Sequence, residues 1–157
     1  MSEHQRFLTE AIELAYANVE AGGRPFGAVV VKDGKTIATG VNEILRTNDP
    51  TSHAELNAIR AASQLLQSAN LAGCSVYASG QPCPMCLAAM RLAGVNEVIY
   101  AYGNEDGARY GLSTAAVYAD LAKPFSEQSM KIRHEPHRLG SRTELYALWH
   151  ARQNAGT

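Results

Sequence analysis

The chain has 157 residues, with 14 Lys+Arg against 15 Asp+Glu for a formal net charge of −1, and 46% hydrophobic residues. A chain of this length buries roughly 70% of the surface its unfolded form exposes, so one soluble domain spanning residues 1–157 is expected, without disulfides. The near-zero charge, with no run of cations, excludes the electrostatic footprint that duplex DNA, RNA or an anionic membrane requires.

The first residues, Met1-Ser2-Glu3-His4-Gln5-Arg6, place acid and polar groups where a secretion signal has a cationic stretch and an apolar core. No apolar run approaches the roughly 18 residues of a membrane span, so a cytoplasmic protein is expected. From Glu3 to Ala21, Phe7, Ala11, Leu14, Ala15 and Val19 recur with helical spacing, and Ser2 with Gln5 matches a capping box. Gly22-Gly23 ends that helix. Phe26 to Val31 and Thr36 to about Asn42 then read as two antiparallel strands joined at Asp33-Gly34. A polar loop leads to Asn48-Asp49-Pro50-Thr51-Ser52, where Thr51 or Ser52 caps a helix with His53 in its first turn.

Ser75 to Ala78 reads as a third strand, and Gly80-Gln81-Pro82 turns the chain into a helix from about Cys83 to Ala93, stopped by Gly94. A fourth strand over Val95 to Tyr102, a loop over Gly103 to Gly111 and a short helix over Ser113 to Leu121 follow. Met130 to His134 reads as a fifth strand and Ser141 to about Gln153 as a last helix. This order predicts an α/β protein, a three-layer α/β/α sandwich with a five-stranded mixed sheet, whose site lies where strand ends and helix starts converge.

Cys83 and Cys86 stand at i and i+3 of a helix start, where both thiols face the same way and the helix N-terminus favours thiolates, the soft ligands zinc prefers. A pair of buried, inert cysteines fits the same spacing. His53 adds a third ligand, and three protein ligands leave the fourth position to water, the pattern of a catalytic Zn2+ site. Glu55, two residues further on, is near enough to carry a proton to and from that water without ligating. As a first-turn carboxylate it also favours the helix dipole by about 0.3 to 1 kcal/mol. The third cysteine, Cys74, has no partner in this pattern and reads as a small residue at a strand edge.

His53-Ala54-Glu55 followed by Pro82-Cys83-Pro84-Met85-Cys86 resembles the zinc deaminases of nucleobases, the cytidine deaminase superfamily. Pro25-Phe26-Gly27-Ala28-Val29, Val31-Lys32-Asp33-Gly34, Gly40-Val41-Asn42 and Asn48-Asp49-Pro50-Thr51 extend the likeness to small bacterial guanine deaminases, from about residue 6 to 125. The resemblance implies hydrolytic deamination, in which Glu55 takes a proton from water and delivers protons to the ring nitrogen and the departing ammonia. It assigns substrate contacts to Asn42, Phe26, Ala54 and the position of Thr114, although Asn42 also reads as a turn residue and Phe26 as core. It further implies a homodimer, with the C-terminal helix and tail, 141–157, exchanged between subunits.

Three features depart from that resemblance. Ser113 and Thr114 stand where guanine deaminases carry acids, Leu92 where they carry a tryptophan, and the chain ends in Asn154-Ala155-Gly156-Thr157 in place of a tyrosine. A carboxylate accepting from the guanine edge contributes about 1.5 to 3 kcal/mol per charged hydrogen bond, and a hydroxyl does not replace it bidentately. Guanine leads as the expected substrate, with cytosine, another aminopyrimidine or an amino-triazine as the alternative. A tRNA adenosine substrate fits less well, because the last helix carries only Arg142 and Arg152 as cations against phosphate. A noncatalytic zinc-bound interaction module is the non-enzyme reading, and it has no use for Glu55.

Overall fold

In the computed structural model, which describes residues 1–155, helix α1 spans Glu3–Glu20 and starts at the expected reciprocal cap. Ser2 Oγ accepts from the Gln5 N–H at 3.1 Å, and Gln5 Oε1 accepts from the Ser2 N–H at 2.9 Å. Strands β1 (Gly27–Lys32) and β2 (Lys35–Val41) pair antiparallel. Asp33 and Gly34 between them take φ of 52° and 74°, the left-handed pair that a two-residue hairpin matched to strand twist demands. After a short helix α2 (Ile44–Thr47) come α3 (Ala54–Leu66), β3 (Cys74–Gly80), α4 (Pro84–Ala93) and β4 (Glu97–Tyr102). Short helices α5 (Asn104–Gly107) and α6 (Ala115–Leu121) follow, with a 3-10 turn over Ala108–Tyr110 between them, and α7 spans Leu145–Ala155.

The sheet runs β2-β1-β3-β4, with β1 antiparallel to both neighbours and β3 parallel to β4 across the α4 crossover. Side chains alternate along β1 and so divide the core in two. Ala28 and Val30 join Ala54, Ala58, Cys86 and Met90 under α3 and α4, while Val29 and Val31 join Phe7 and Tyr77 under α1. Helices therefore cover both faces, as a three-layer α/β/α arrangement requires. Two glycines permit the closest approaches. A Cβ at Gly27 would stand 2.4 Å from the Ala11 carbonyl oxygen of α1, and one at Gly40 would stand 2.3 Å from the Ala54 carbonyl oxygen of α3.

The sheet has four strands where the sequence suggests five. Residues 130–134 form no strand among the described residues, and Met130 and Ile132 are exposed. Their apolar face is two side chains long, alternating with Lys131 and Arg133, too little burial to offset the entropy of ordering a strand. The short helices α2 and α5 lie where loops were expected.

The chain divides into two compact units, Met1–Ala122 and Lys123–Thr157. The first contains the sheet and α1 to α6. The second contains α7, whose large apolar residues Leu145, Tyr146 and Trp149 are exposed rather than packed in a core. No described helix is long and apolar enough to cross a membrane.

Candidate active site

The loop before α3 is held by its own polar side chains. Asp49 Oδ1 accepts from both the Thr51 N–H (2.8 Å) and the Thr51 hydroxyl (2.7 Å), and Asn57 Nδ2 reaches from α3 to the Val41 carbonyl (2.9 Å) and Ser52 Oγ (3.1 Å). His53 is the N-cap of α3, with extended backbone at φ −82° and ψ 154°. It stands one residue before the first turn in which the sequence places it, and Thr51 and Ser52 lie in the preceding loop. Cys83 is likewise the N-cap of α4, its Sγ accepting from the Cys86 N–H at 3.5 Å, with Pro84 at the first helical position.

These two helix starts meet. His53 Nδ1 lies 3.4 Å from Cys83 Sγ and 3.5 Å from Cys86 Sγ, and the three candidate ligand atoms fall within 4.8 Å of one another. Zinc bound tetrahedrally at the usual Zn–N and Zn–S lengths sets nitrogen and sulfur about 3.6 Å apart, so the donor set fits that ion in type, number and spacing. Cys83 is held as the thiolate, its pKa lowered to about 4 by the hydrogen bond from the Cys86 thiol and then by that from His53. Cys86 is pushed up by retaining the proton it shares with Cys83, and the Cys83 hydrogen bond raises His53.

Glu55 is only 6% exposed. Burial pushes its pKa above the usual carboxylate value. A buried carboxyl beside a metal-ligand cluster, with no salt bridge among the described residues, is costly to keep as a structural group and suited to moving a proton.

The expected substrate-contact residues surround the same end of the sheet. Asn42 is buried; its N–H donates to the Phe26 carbonyl at 3.2 Å and its Oδ1 accepts from the Ile44 N–H at 3.1 Å. With Oδ1 so engaged, the side chain has two amide N–H donors to offer. Phe26 is half-buried and packed against the core, its ring edge against Gly80. Ala54, fully buried, is the first residue of α3, and an N–H at that position has no acceptor within the helix. Thr114 is half-buried just before α6, and its Oγ1 is buried with no hydrogen-bond partner. Its N–H donates to Asn104 Oδ1 (3.2 Å), and the Asn104 N–H donates to Gln81 Oε1 (2.9 Å), tying Thr114 to the loop that enters Cys83.

Leu92, which departs from the resemblance in place of a tryptophan, is 89% exposed on α4 and is no part of the ligand cluster. Gly156 and Thr157 at the chain end lie outside the described residues. Cys74 opens β3, fully buried in the core and outside the ligand group of His53, Cys83 and Cys86. Two contributors are invisible in the sequence pattern. Asn18 of α1 donates to the Asn42 carbonyl at 2.8 Å, and the Tyr118 hydroxyl of α6 donates to the Pro82 carbonyl. Neither has a local spacing to its partner, so nothing but the fold reveals them. A groove of about 710 Å3 on the α1 side, lined by Tyr16, Val19, Phe26, Gln81 and Tyr110, shares Phe26 and Gln81 with this region but excludes the ligand cluster.

Comparison with known proteins agrees with this geometry. Residues 1–102 match the cytidine and deoxycytidylate deaminase zinc-binding region. Over 128 residues the chain is 44% identical to a guanine deaminase of Bacillus subtilis (strain 168), covering 81% of this chain and 82% of that protein. The X-ray structure of guanine deaminase from Bacillus subtilis superposes with a TM-score of 0.82 at 40% identity, covering 98% of this chain and 95% of that one. A tRNA-specific adenosine deaminase of Aquifex aeolicus (strain VF5) is 38% identical over 95 residues, covering 60% of this chain and 63% of that protein. With the His53, Cys83 and Cys86 cluster beside Glu55, these matches lead to one conclusion: the chain belongs to the cytidine and deoxycytidylate deaminase family, as a hydrolytic deaminase.

Proposed function

We propose that the protein deaminates guanine, converting guanine and water to xanthine and ammonia, with zinc held by His53, Cys83 and Cys86. The observation that carries this reading is the buried Glu55 carboxyl set against a three-ligand cluster. Zinc in that cluster supplies a Lewis acid that brings the pKa of water toward neutrality. Glu55, its pKa raised by burial, accepts a proton from water and passes protons first to the ring nitrogen beside the reacting carbon and then to the leaving amine. Asn42 donates its amide N–H groups to acceptor atoms of the base, the Ala54 N–H offers one further donor, and Phe26 packs on the ring plane. The neutral Thr114 meets the far edge of the ring.

Thr114 favours a second reading, deamination of cytosine or another small amino-heterocycle such as an amino-triazine. An unpaired hydroxyl both donates and accepts, so it does not impose the donor pattern that a carboxylate selects. Ammonia release measured at equal concentration from guanine, guanosine, cytosine, cytidine, adenine, isocytosine and ammeline decides between them. Guanine is expected to give the highest kcat/KM, and inactivity on every purine overturns the primary reading. A tRNA adenosine substrate is disfavoured by the few cations of α7, Arg142 preceding it and Arg152 within it.

The working unit is a cytoplasmic homodimer in which the C-terminal segment 141–157 is exchanged between subunits. The exposure of Leu145, Tyr146 and Trp149 supports this, since large apolar side chains gathered on one short helix favour a partner surface. Light scattering of the eluted protein is expected to give twice the 16.9 kDa chain mass, and a monomer at working concentration refutes it.

A further inference from the structure

We propose that Tyr118 is a positioning residue of the metal centre: its hydroxyl, donated to the Pro82 carbonyl, fixes the loop from which Cys83 enters the ligand cluster. The inference rests on the zinc reading above and concerns what holds one of the ligands in place. Pro82 is buried, and its carbonyl lies just outside helix α4. The first helical bond runs from the Leu87 N–H to the Cys83 carbonyl, and the Cys86 N–H is taken by Cys83 Sγ. No backbone N–H among the described residues reaches the Pro82 oxygen, so the phenol is what satisfies a buried acceptor.

The loop is restrained at successive points. The Gln81 N–H donates to the Tyr102 carbonyl at 2.7 Å, Gln81 Oε1 accepts from the Asn104 N–H at 2.9 Å, and Tyr118 holds the next carbonyl. Pro82 and Pro84 limit φ on both sides of Cys83. With those torsions limited, the freedom left to Cys83 Sγ is chiefly a rotation of the Pro82–Cys83 peptide, and the Tyr118 bond acts on that rotation. Cys83 depends on such support more than Cys86 does, because it sits at the N-cap in extended backbone, whereas Cys86 is carried within the helix. A hydrogen bond one peptide away from a ligand thus orients it as an outer partner orients a ligating histidine.

The test is Tyr118→Phe in the zinc-loaded protein, which keeps the ring and removes the hydroxyl. Zinc transfer to a chromogenic chelator is expected to be about tenfold faster, the lower end of what outer partners of metal ligands contribute. Cobalt-substituted Y118F is expected to show shifted ligand-field bands, and kcat to fall with KM within about twofold of wild type, the pattern of a disturbed reaction centre rather than a lost substrate contact. Val117→Ala, half-exposed on the same helix and making no such bond, serves as the control and should leave zinc release unchanged.

Zinc release from Y118F within twofold of wild type overturns the proposal. So does a rise in KM alone, which would assign the bond to holding α6, and so does a Y118F protein that fails to fold or loses Tm with unchanged zinc release. Wild-type protein that retains no zinc overturns the metal reading itself and is seen before any variant is made.

Discussion

Gly40 offers the sharpest test of how the fold positions the chemistry. It pairs with Ala28 across the hairpin, and α3 rests directly on it. A Cβ added there would lie 2.3 Å from the Ala54 carbonyl oxygen, 2.5 Å from the Ala58 nitrogen and 3.0 Å from Asn57 Cβ. The first two are helix backbone, which cannot rotate aside as a side chain can. Restoring ordinary contact at 3.4 Å therefore pushes the start of α3 outward by roughly 1 Å, in the turn that carries His53 and Glu55. A displacement of that size costs about 100-fold in rate, about 2.7 kcal/mol of transition-state stabilisation, and overpacking removes about 1 to 3 kcal/mol of stability. Purified zinc-loaded G40A should show both losses, by steady-state ammonia release and by thermal unfolding. Gly27→Ala is the control, since its Cβ would meet the Ala11 carbonyl oxygen at 2.4 Å on the opposite face, under a helix that carries no ligand. G27A should lose comparable stability and keep most of its activity. G40A with wild-type kcat/KM, or G27A and G40A losing activity equally, would refute the claim that the α3 contact sets the site.

Glu55→Gln should keep one zinc per chain and lose turnover by about 10²- to 10⁴-fold, as measured by ammonia release and metal analysis; appreciable activity removes Glu55 as the proton carrier. The same substitution probes the burial of the acid in metal-stripped protein. A carboxyl whose folded pKa is raised is neutral in both states below its unfolded value and lowers stability as pH rises through the folded one, so the Tm advantage of E55Q over wild type should be larger at pH 8 than at pH 5. Cys83→Ala or Cys86→Ala should lose zinc and thermal stability together, and a variant that still holds stoichiometric metal contradicts ligation. Asn42→Ala should raise KM more than it lowers kcat while zinc content is unchanged; loss of metal would mean that Asn42 supports the centre and not the substrate.

Much of this site is legible in the sequence, because its parts lie at local spacings. Cys83 and Cys86 belong to one helix start, and His53 and Glu55 to another, so each pair is set by backbone geometry within four residues. That the pairs converge follows from β2 and β3 flanking β1 and delivering both helices to one end of the sheet. The capping box at Ser2 and the Asp33-Gly34 hairpin are equally local, and both form as expected. Expectation and structure differ where local and long-range preferences compete. Ser52 is a good cap by residue type, yet its hydroxyl is engaged by Asn57 and its carbonyl by the Glu43 N–H, leaving the N-cap to His53. Residues 130–134 alternate as a strand does, but alternation states a preference for a buried face and cannot supply the surface that buries it. Asn18 and Tyr118 act across 24 and 36 residues of sequence separation, and no periodicity records such contacts.

Strand β1 divides the core, and that placement also sets how the molecule opens. Its residues are buried from Gly27 to Val31, and both of its edges are paired, so its amides have no route to solvent short of global unfolding. Phe26, immediately before it, and Asn42, immediately after its partner strand, lie at the rim of that slow-exchanging block. Hydrogen exchange should therefore be slowest along Ala28 to Val31 and fast in the loops at 43–52 and 103–114. A base can enter and leave through motions of the rim while the ladder beneath it stays closed, so each catalytic cycle leaves the most protected part of the protein undisturbed.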